Sequence, residues 1–257
     1  MASLAYQFGS YVYASNSAHV SDWQERIGDR GEAIAVPGSD RARETQALLG
    51  PREVTVSGRI SASSAALWRS ALDAFLAAHN PGTGYANLYR WDDRYRRACP
   101  VGLPTIGLNN RMKNTCTFEA HFRCPDPYLY AALASTDTVL TPAAGAPGHN
   151  VIATGTAEAL PAYTLTIGVG GTGTIVLQRS SPSPVKSFTL TGTFTAGDVL
   201  VVDALAQTVT RNGANALSLL TAGSFFGLIP GSNNLVLTFA APLTLASLIT
   251  TWRGRYL

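Results

Sequence analysis

The segment Phe118-Glu-Ala-His-Phe-Arg-Cys-Pro125-Asp-Pro127-Tyr-Leu-Tyr130 constrains this chain more than any other, because it ends one kind of sequence and opens another. Apolar and polar residues alternate up to Cys124, as in a strand with one buried face, and two prolines then interrupt any further ladder. Residues 1–135 hold 14 Lys/Arg and 12 Asp/Glu, whereas residues 136–257 hold only 5 and 4. Two differently built halves meeting at a Pro-punctuated aromatic corner predict two domains, 1–135 and 136–257. At 257 residues the chain can bury a separate core in each.

In the first half, Glu53-Val-Thr-Val-Ser-Gly-Arg-Ile60 alternates as a strand, and Ser61 to Ser64 supply hydroxyl caps for a helix running to about His79. Leu67, Trp68, Ala71, Leu72, Phe75 and Leu76 fall in adjacent pairs four apart, which predicts one apolar face packed on a sheet. Asn80-Pro81-Gly82 stops the helix. Tyr85–Trp91 and Arg96–Leu103 then read as strands about an Asp92-Asp93-Arg94 turn, and Asn109-Asn110-Arg111 as the turn before a strand at 114–124. The expectation is an α+β domain, mainly β, with one long helix.

The second half is all strand and turn. Runs at 163–167, 174–178, 187–191, 199–203, 208–211 and 234–239 are separated by Gly, Pro, Asn or Asp, which predicts a β-sandwich. Residues 246–257 read as one more strand, and Thr141 to Gly148 as a loop. So few charges leave a Ser, Thr and Gly surface, which points to protein partners on several sides.

Composition removes some functions. The formal charge of +3 is small, and the arginines are interleaved with acids, so no continuous basic face is offered to nucleic acid. Arg outnumbers Lys 17 to 2, an excess that a GC-rich coding sequence alone would produce and that also suits buried or interfacial ion pairs. No segment reaches the roughly 18 to 20 apolar residues of a membrane span, and the first residues lack the pattern of a signal peptide. The expectation is therefore synthesis in the cytoplasm with reduced thiols. Cys116 and Cys124 on one strand would be about 26 Å apart at ~3.3 Å per residue, too far to bond, and Cys99 could face the Cys124 region across a hairpin.

No catalytic constellation and no cofactor is expected. His19, His79, His121 and His149 lack metal-binding spacing; His79 sits where a cationic ring would favour a helix C-terminus, and His121 lies in a strand. Gly168-Val-Gly-Gly-Thr-Gly173 has no helix start after it and no Lys-Ser/Thr ending, so it reads as a hairpin or bulge rather than a phosphate loop. Asp92 and Asp93 stand beside Arg90, Arg94, Arg96 and Arg97, which would keep both acids ionised, and these six residues read as an ion-pair patch at a subunit contact. The mixed-charge stretch Asp22–Arg43 is a second candidate contact. Of Phe225 and Phe226, at least one ring should enter the core.

The strand running into Cys124-Pro-Asp-Pro-Tyr-Leu-Tyr130, followed about a hundred residues later by Gly223-Ser-Phe-Phe-Gly-Leu-Ile-Pro-Gly-Ser-Asn-Asn234, resembles the distal tail protein of long-tailed, non-contractile bacteriophages. The resemblance covers nearly the whole chain. It implies a belt domain at 1–135, related to tail-tube folds, that closes into a homo-hexameric ring, and a galectin-like or jelly-roll sandwich at 136–257. Pro125, Asp126, Pro127, Tyr128, Phe225, Phe226, Pro230, Gly231 and Asn233 would be structural residues of the family motifs. The implied role is a virion tail-tip protein joining the tail tube on one face to the tail hub on the other, with DNA passing through the lumen unbound and with a receptor-binding protein or host glycan as a further partner. The alternatives are a carbohydrate-binding adhesin acting through the sandwich, and a decorated tail-tube subunit.

Overall fold

The computed structural model describes residues 6–14, 17–29, 33–35, 42–44, 49–91, 93–108, 113–144 and 148–257. The chain divides into two compact units, Met1–Leu129 and Tyr130–Leu257, so the break falls inside the aromatic corner itself.

In the first unit the strands are β1 (Gln7–Phe8), β2 (Tyr11–Val12), β3 (Ala18–Asp29), β4 (Ala33–Ala35), β5 (Ala42–Glu44), β6 (Leu49–Ser61), β7 (Ala86–Trp91), β8 (Arg94–Pro100), β9 (Thr105–Leu108) and β10 (Thr115–Cys124). β10 runs antiparallel to β6 from Thr115↔Ser61 to Cys124↔Arg52, and β6 pairs in turn with β3. On the other side of β10, β9 pairs with Cys116–Glu119, and β8 with Phe122 and Arg123. The chain then turns through the β7–β8 hairpin to β1 and β2. β8 opens at Arg94 and ends at Pro100, so Val101–Leu103, expected in the strand, lie beyond it. The expected Asn109–Arg111 turn lies outside the described residues.

β10 is buried at every second residue, as its alternation requires, and Cys116, Phe118, Ala120, Phe122 and Cys124 face the core. Val54, Val56 and Ile60 of β6 join them. Gly58 is glycine because β3 comes too close for anything else: a Cβ there would lie 2.1 Å from the His19 carbonyl oxygen and 2.8 Å from the Phe118 ring.

The helix α1 spans Ala65–Ala78, and Ser64 caps it by accepting the Leu67 N–H at 3.3 Å. Phe75 is fully buried, with Trp68, Ala71, Leu72 and Leu76 packed beside it. Leu67 departs from expectation and is 58% exposed. Successive helical residues turn by about 100°, so Leu67 sits at the margin of the stripe while Phe75 nearly overlies Trp68. Asn80 then caps a single 3-10 turn at Pro81–Thr83.

His79, at the helix C-terminus where a cationic ring would have suited the dipole, is instead a buried neutral ring. It closes the helix inside a ring of Phe8, Tyr11, Tyr13, Phe75 and Phe122. Nδ1 lies 2.7 Å from the Phe75 carbonyl oxygen and Nε2 2.6 Å from the Tyr13 hydroxyl. A carbonyl only accepts, so Nδ1 carries the proton and Nε2 receives the tyrosine O–H. Burial pulls the imidazole pKa down from 6.5 to about 4, and the Phe75 bond offsets only part of that.

The second unit stacks a six-stranded and a five-stranded sheet. The first has the order β12 (Ser135–Leu140), β22 (Thr244–Trp252), β14 (Ala162–Val169), β17 (Val199–Asp203), β18 (Thr208–Arg211) and β19 (Ala214–Asn215). The second has the order β13 (His149–Ala153), β21 (Gly231–Phe239), β15 (Gly171–Ser181), β16 (Lys186–Phe194) and β20 (Leu220–Gly223). The remaining strands are β11 (Leu129–Ala131) and β23 (Arg255–Tyr256). Tyr163, Phe188 and Phe226 meet at the centre, with ring centroids 5.2 to 5.7 Å apart.

The late strand expected at 246–257 is β22, inserted between β12 and β14. The glycine run at 168–173 does not close a hairpin, because β14 and β15 belong to different sheets; it carries the chain from one sheet to the other. β14 also slips register between Thr166 and Val169, a bulge that lets it leave the ladder.

His79 generates a pH dependence. Between pH 6.5 and 4 the unfolded chain protonates this ring while the folded chain does not, so stability is complete above 6.5 and falls as pH drops toward 4. The loss from this residue should approach about 3 kcal/mol. Urea unfolding of the full chain at pH 7 and pH 4.5 should show it, and a His79→Gln variant should lose that part of the slope.

Candidate functional site: an open-edged sheet and its ionic anchor

Within the first unit's sheet, β3, β6, β10 and β9 form a four-stranded stretch with two faces of opposite character. Its outer face is polar, and the register lays it out in bands: Arg26, Glu53 and Arg123; then Gln24, Thr55 and His121; then Asp22, Ser57, Glu119 and Thr105; then His19, Arg59 and Thr117. Three arginines face three carboxylates, so the face carries no net charge with its histidines neutral.

The two edges also differ. β3 is long and charged. β9 lies in the run Val101-Gly-Leu-Pro-Thr-Ile-Gly-Leu108, which has no charge, and among the described residues β9 pairs only with β10. Val101, Leu103 and Leu108 are 53%, 66% and 68% exposed. An apolar, uncharged edge with free backbone groups is a template for another strand. Sequence reasoning passed over this edge; its signal was an eight-residue run without charge inside the charged half.

Of the six residues expected to form a contact patch, Arg96 does not lie at the surface. Arg96 is only 1% exposed and grips Glu25 at both oxygens, 2.7 and 2.9 Å, so it faces its own unit's interior. The in/out alternation of β8 explains this: Arg96 and Ala98 point inward while Arg97 is exposed. Arg90 lies 3.7 Å from Glu25 with its guanidinium over Trp23, and Arg94 pairs with exposed Asp93 at 3.4 Å. Asp92 lies outside the described residues, as does part of Asp22–Arg43. Within that stretch Glu25 holds the centre. It also accepts Arg52 Nη1 at 2.9 Å and Trp23 Nε1 at 2.6 Å. Burial alone would raise its pKa, but these bonds and the arginine charges bring it below the ordinary carboxylate value.

The motif residues sit in two corners. Asp126 Oδ1 accepts the Tyr128 N–H at 3.0 Å in an Asx turn between exposed Pro125 and buried Pro127. In the second unit Phe226 is buried and Phe225 half-buried. Asn233, fully buried, accepts the Ile229 N–H at 2.9 Å and donates to the Ile229 and Gly231 carbonyls at 2.7 and 3.0 Å. It closes the Pro230-Gly231 corner, where Gly231 takes φ +97°.

Among the described residues no group of three or more His, Cys, Asp or Glu is placed to hold a metal ion. His121 bonds Thr55 and approaches Glu119, and His149 pairs with Asp137. All three cysteines are free thiols, and burial pushes Cys124 up to about 12. No described helix is long and apolar enough to cross a membrane.

In the second unit every charged residue but Lys186 is bonded within the unit. Arg179 donates to the Gly227 and Pro184 carbonyls at 2.5 and 3.1 Å and approaches Glu158. Asp198 accepts the Thr195 N–H at 2.6 Å, Arg211 at 2.5 Å and Asn212 at 2.8 Å, which hold its pKa at about 2. Asp203 caps a turn, while Arg253 and Arg255 donate to backbone carbonyls.

A sandwich whose charges are bonded internally, following a unit with an open-edged sheet, has the build of an assembly component. Residues 154–256 match the family described as siphovirus-type tail component, C-terminal domain. Over the whole chain the fold is that of the SPP1 Dit protein, with a TM-score of 0.74 at 16% identity, covering 98% of this chain and 99% of that one. The structure of the phage p2 baseplate in its activated conformation with calcium also contains this fold: TM-score 0.52, 8% identity, 95% and 92% coverage. The strontium form gives 0.50 at 9% identity, with the same coverage. No curated protein sequence matches. Residues 154–256 thus carry the siphovirus-type tail component C-terminal domain, and the chain as a whole has a Dit-like fold.

Glu25→Gln should destabilise the first unit by about 3–5 kcal/mol, since it leaves two buried guanidiniums without a counter-charge. Asn233→Ala should cost the second unit about 2–3 kcal/mol by stranding the corner's backbone groups. Chemical denaturation of the full chain separates the two, because three of the four tryptophans lie in the first unit and only Trp252 in the second.

Proposed function

We propose that this protein is an architectural ring of the phage tail tip, a homo-hexamer that joins the tail tube to the tail hub and supports the adsorption apparatus. The observation that carries the reading is the unlike pair of edge strands, β9 and β3, on one stretch of the first unit's sheet. An uncharged β9 and a charged β3 cannot make a two-fold contact with themselves as readily as they can meet each other head to tail. A heterologous contact of that kind closes into a ring when its rotation divides a full turn.

The sheet's outer face suits a lumen. With three arginines offset by three carboxylates it offers a polyanion no net attraction, so DNA would pass without displacing counterions. SPP1 Dit is described as a paradigm of the hub adsorption apparatus in Gram-positive-infecting phages, and the p2 relative is a baseplate. Both agree with placement of this chain in the virion at the tail tip.

Light scattering with negative-stain imaging tests the ring. Wild type should give an annulus of six times the 27.1 kDa protomer mass. The double variant Leu103→Lys, Leu108→Lys should stay monomeric with stability within about 1 kcal/mol of wild type, because both side chains are exposed. A wild type that remains monomeric at every concentration, or a double variant that still closes rings, would sink the edge reading.

A second reading rests on the outer face of the five-stranded sheet, where Thr172, Thr174, Thr191, Thr193, Thr221 and Asn150 present hydroxyls and an amide without charge. Such a face suits a neutral host glycan. Calorimetric titration of the full chain with neutral cell-wall glycans should then saturate and be blocked by Thr191→Lys; no saturable heat would leave the sandwich purely architectural.

A further inference from the structure

We propose that one edge of the Arg52 guanidinium is a seat for an oxyanion, a carboxylate or a phosphate, at the charged end of the first unit's core. Arg52 is 4% exposed and, among the described residues, donates only through Nη1, to Glu25. Its Nε and Nη2 are buried without an acceptor among the described residues, and so is Nε of Arg96, which is 1% exposed. These two Arg52 atoms form the side-on edge of the planar group. Their N–H bonds run parallel, at the spacing of two oxygens on one carboxylate or phosphate.

Charge gives an independent reason. Among the described residues Glu25 is the one carboxylate that pairs with Arg52 and Arg96. Two buried cations against one anion leave a surplus of one where Arg52 and Arg96 are sealed from water, and an unpaired buried charge is unfavourable. The residue opposite Arg52 in the ladder is Cys124, whose thiol stays neutral and supplies no anion. Toward solvent the cluster is bordered by the side chains of Arg90, 36% exposed, and Glu25, 18% exposed. The proposal is independent of ring formation.

Thermal unfolding of the full chain near pH 7, in inorganic phosphate, acetate or chloride at matched ionic strength, tests it. Phosphate or acetate should raise Tm saturably, by roughly 5–10 °C at a hundredfold excess over Kd, and chloride should not. A response to acetate alone assigns a carboxylate seat, and to phosphate alone a phosphate seat. Arg52→Met should abolish the response. Arg52→Lys keeps the charge but removes the paired N–H groups, and should raise the half-saturating concentration at least about tenfold. If the methionine variant does not fold, the lysine variant decides. Equal Tm in all three salts, or a lysine variant that titrates like wild type, overturns the proposal.

Discussion

Strict alternation along β10 is the constraint on which the first unit depends. Its inward residues, from Cys116 to Cys124, meet β6 and the helix to make the core, while its outward residues Thr117, Glu119, His121 and Arg123 belong to the polar face. A slip of one residue would exchange the two sets and destroy core and outer face together. Ten consecutive register pairs with β6 hold that choice in place, and the missing Cβ of Gly58 lets the third strand close over it.

Arginine performs interior work in both units. Arg96 and Arg52 converge on Glu25 in one, and Arg179 ties Gly227, Pro184 and Glu158 together in the other. A guanidinium has five donors in one plane and stays charged when buried, so a single residue can hold several chain segments at fixed angles. The charges placed inside in this way are unavailable to the surface. The second unit, which has few charges to begin with, is charge-poor outside, a property suited to contact with neighbours.

Local pattern made much of this legible. The helix, its Ser64 cap, β10, and the strands beginning near 163, 174, 187, 199, 208 and 234 follow from periodicity and turn residues that the folded chain keeps. Strands such as β3 were not legible, because Ala18–Asp29 is rich in charge and owes its pairing to β6 rather than to its own alternation. His79 illustrates the same limit: position at a helix end suggests a cation, and only the surrounding rings reveal a neutral acceptor. Arg96 was misplaced because a run of alternating charges does not say which members face in. The β9 edge was missed because exposure depends on which neighbour a strand lacks.

The position of β22 has a consequence for how the protein is made. β12 pairs with β22 from Ser135↔Trp252 to Leu140↔Ser247, and β14 pairs with its other side. The first strand of the sandwich therefore has no sheet neighbour until residues about 110 positions later have left the ribosome. Every described strand from β1 to β10 has a ladder partner by Cys124, so this part of the chain can fold while the rest is still being synthesised. Translation thus imposes an order, in which the unit carrying the open β9 edge is finished while the sandwich is still an incomplete chain.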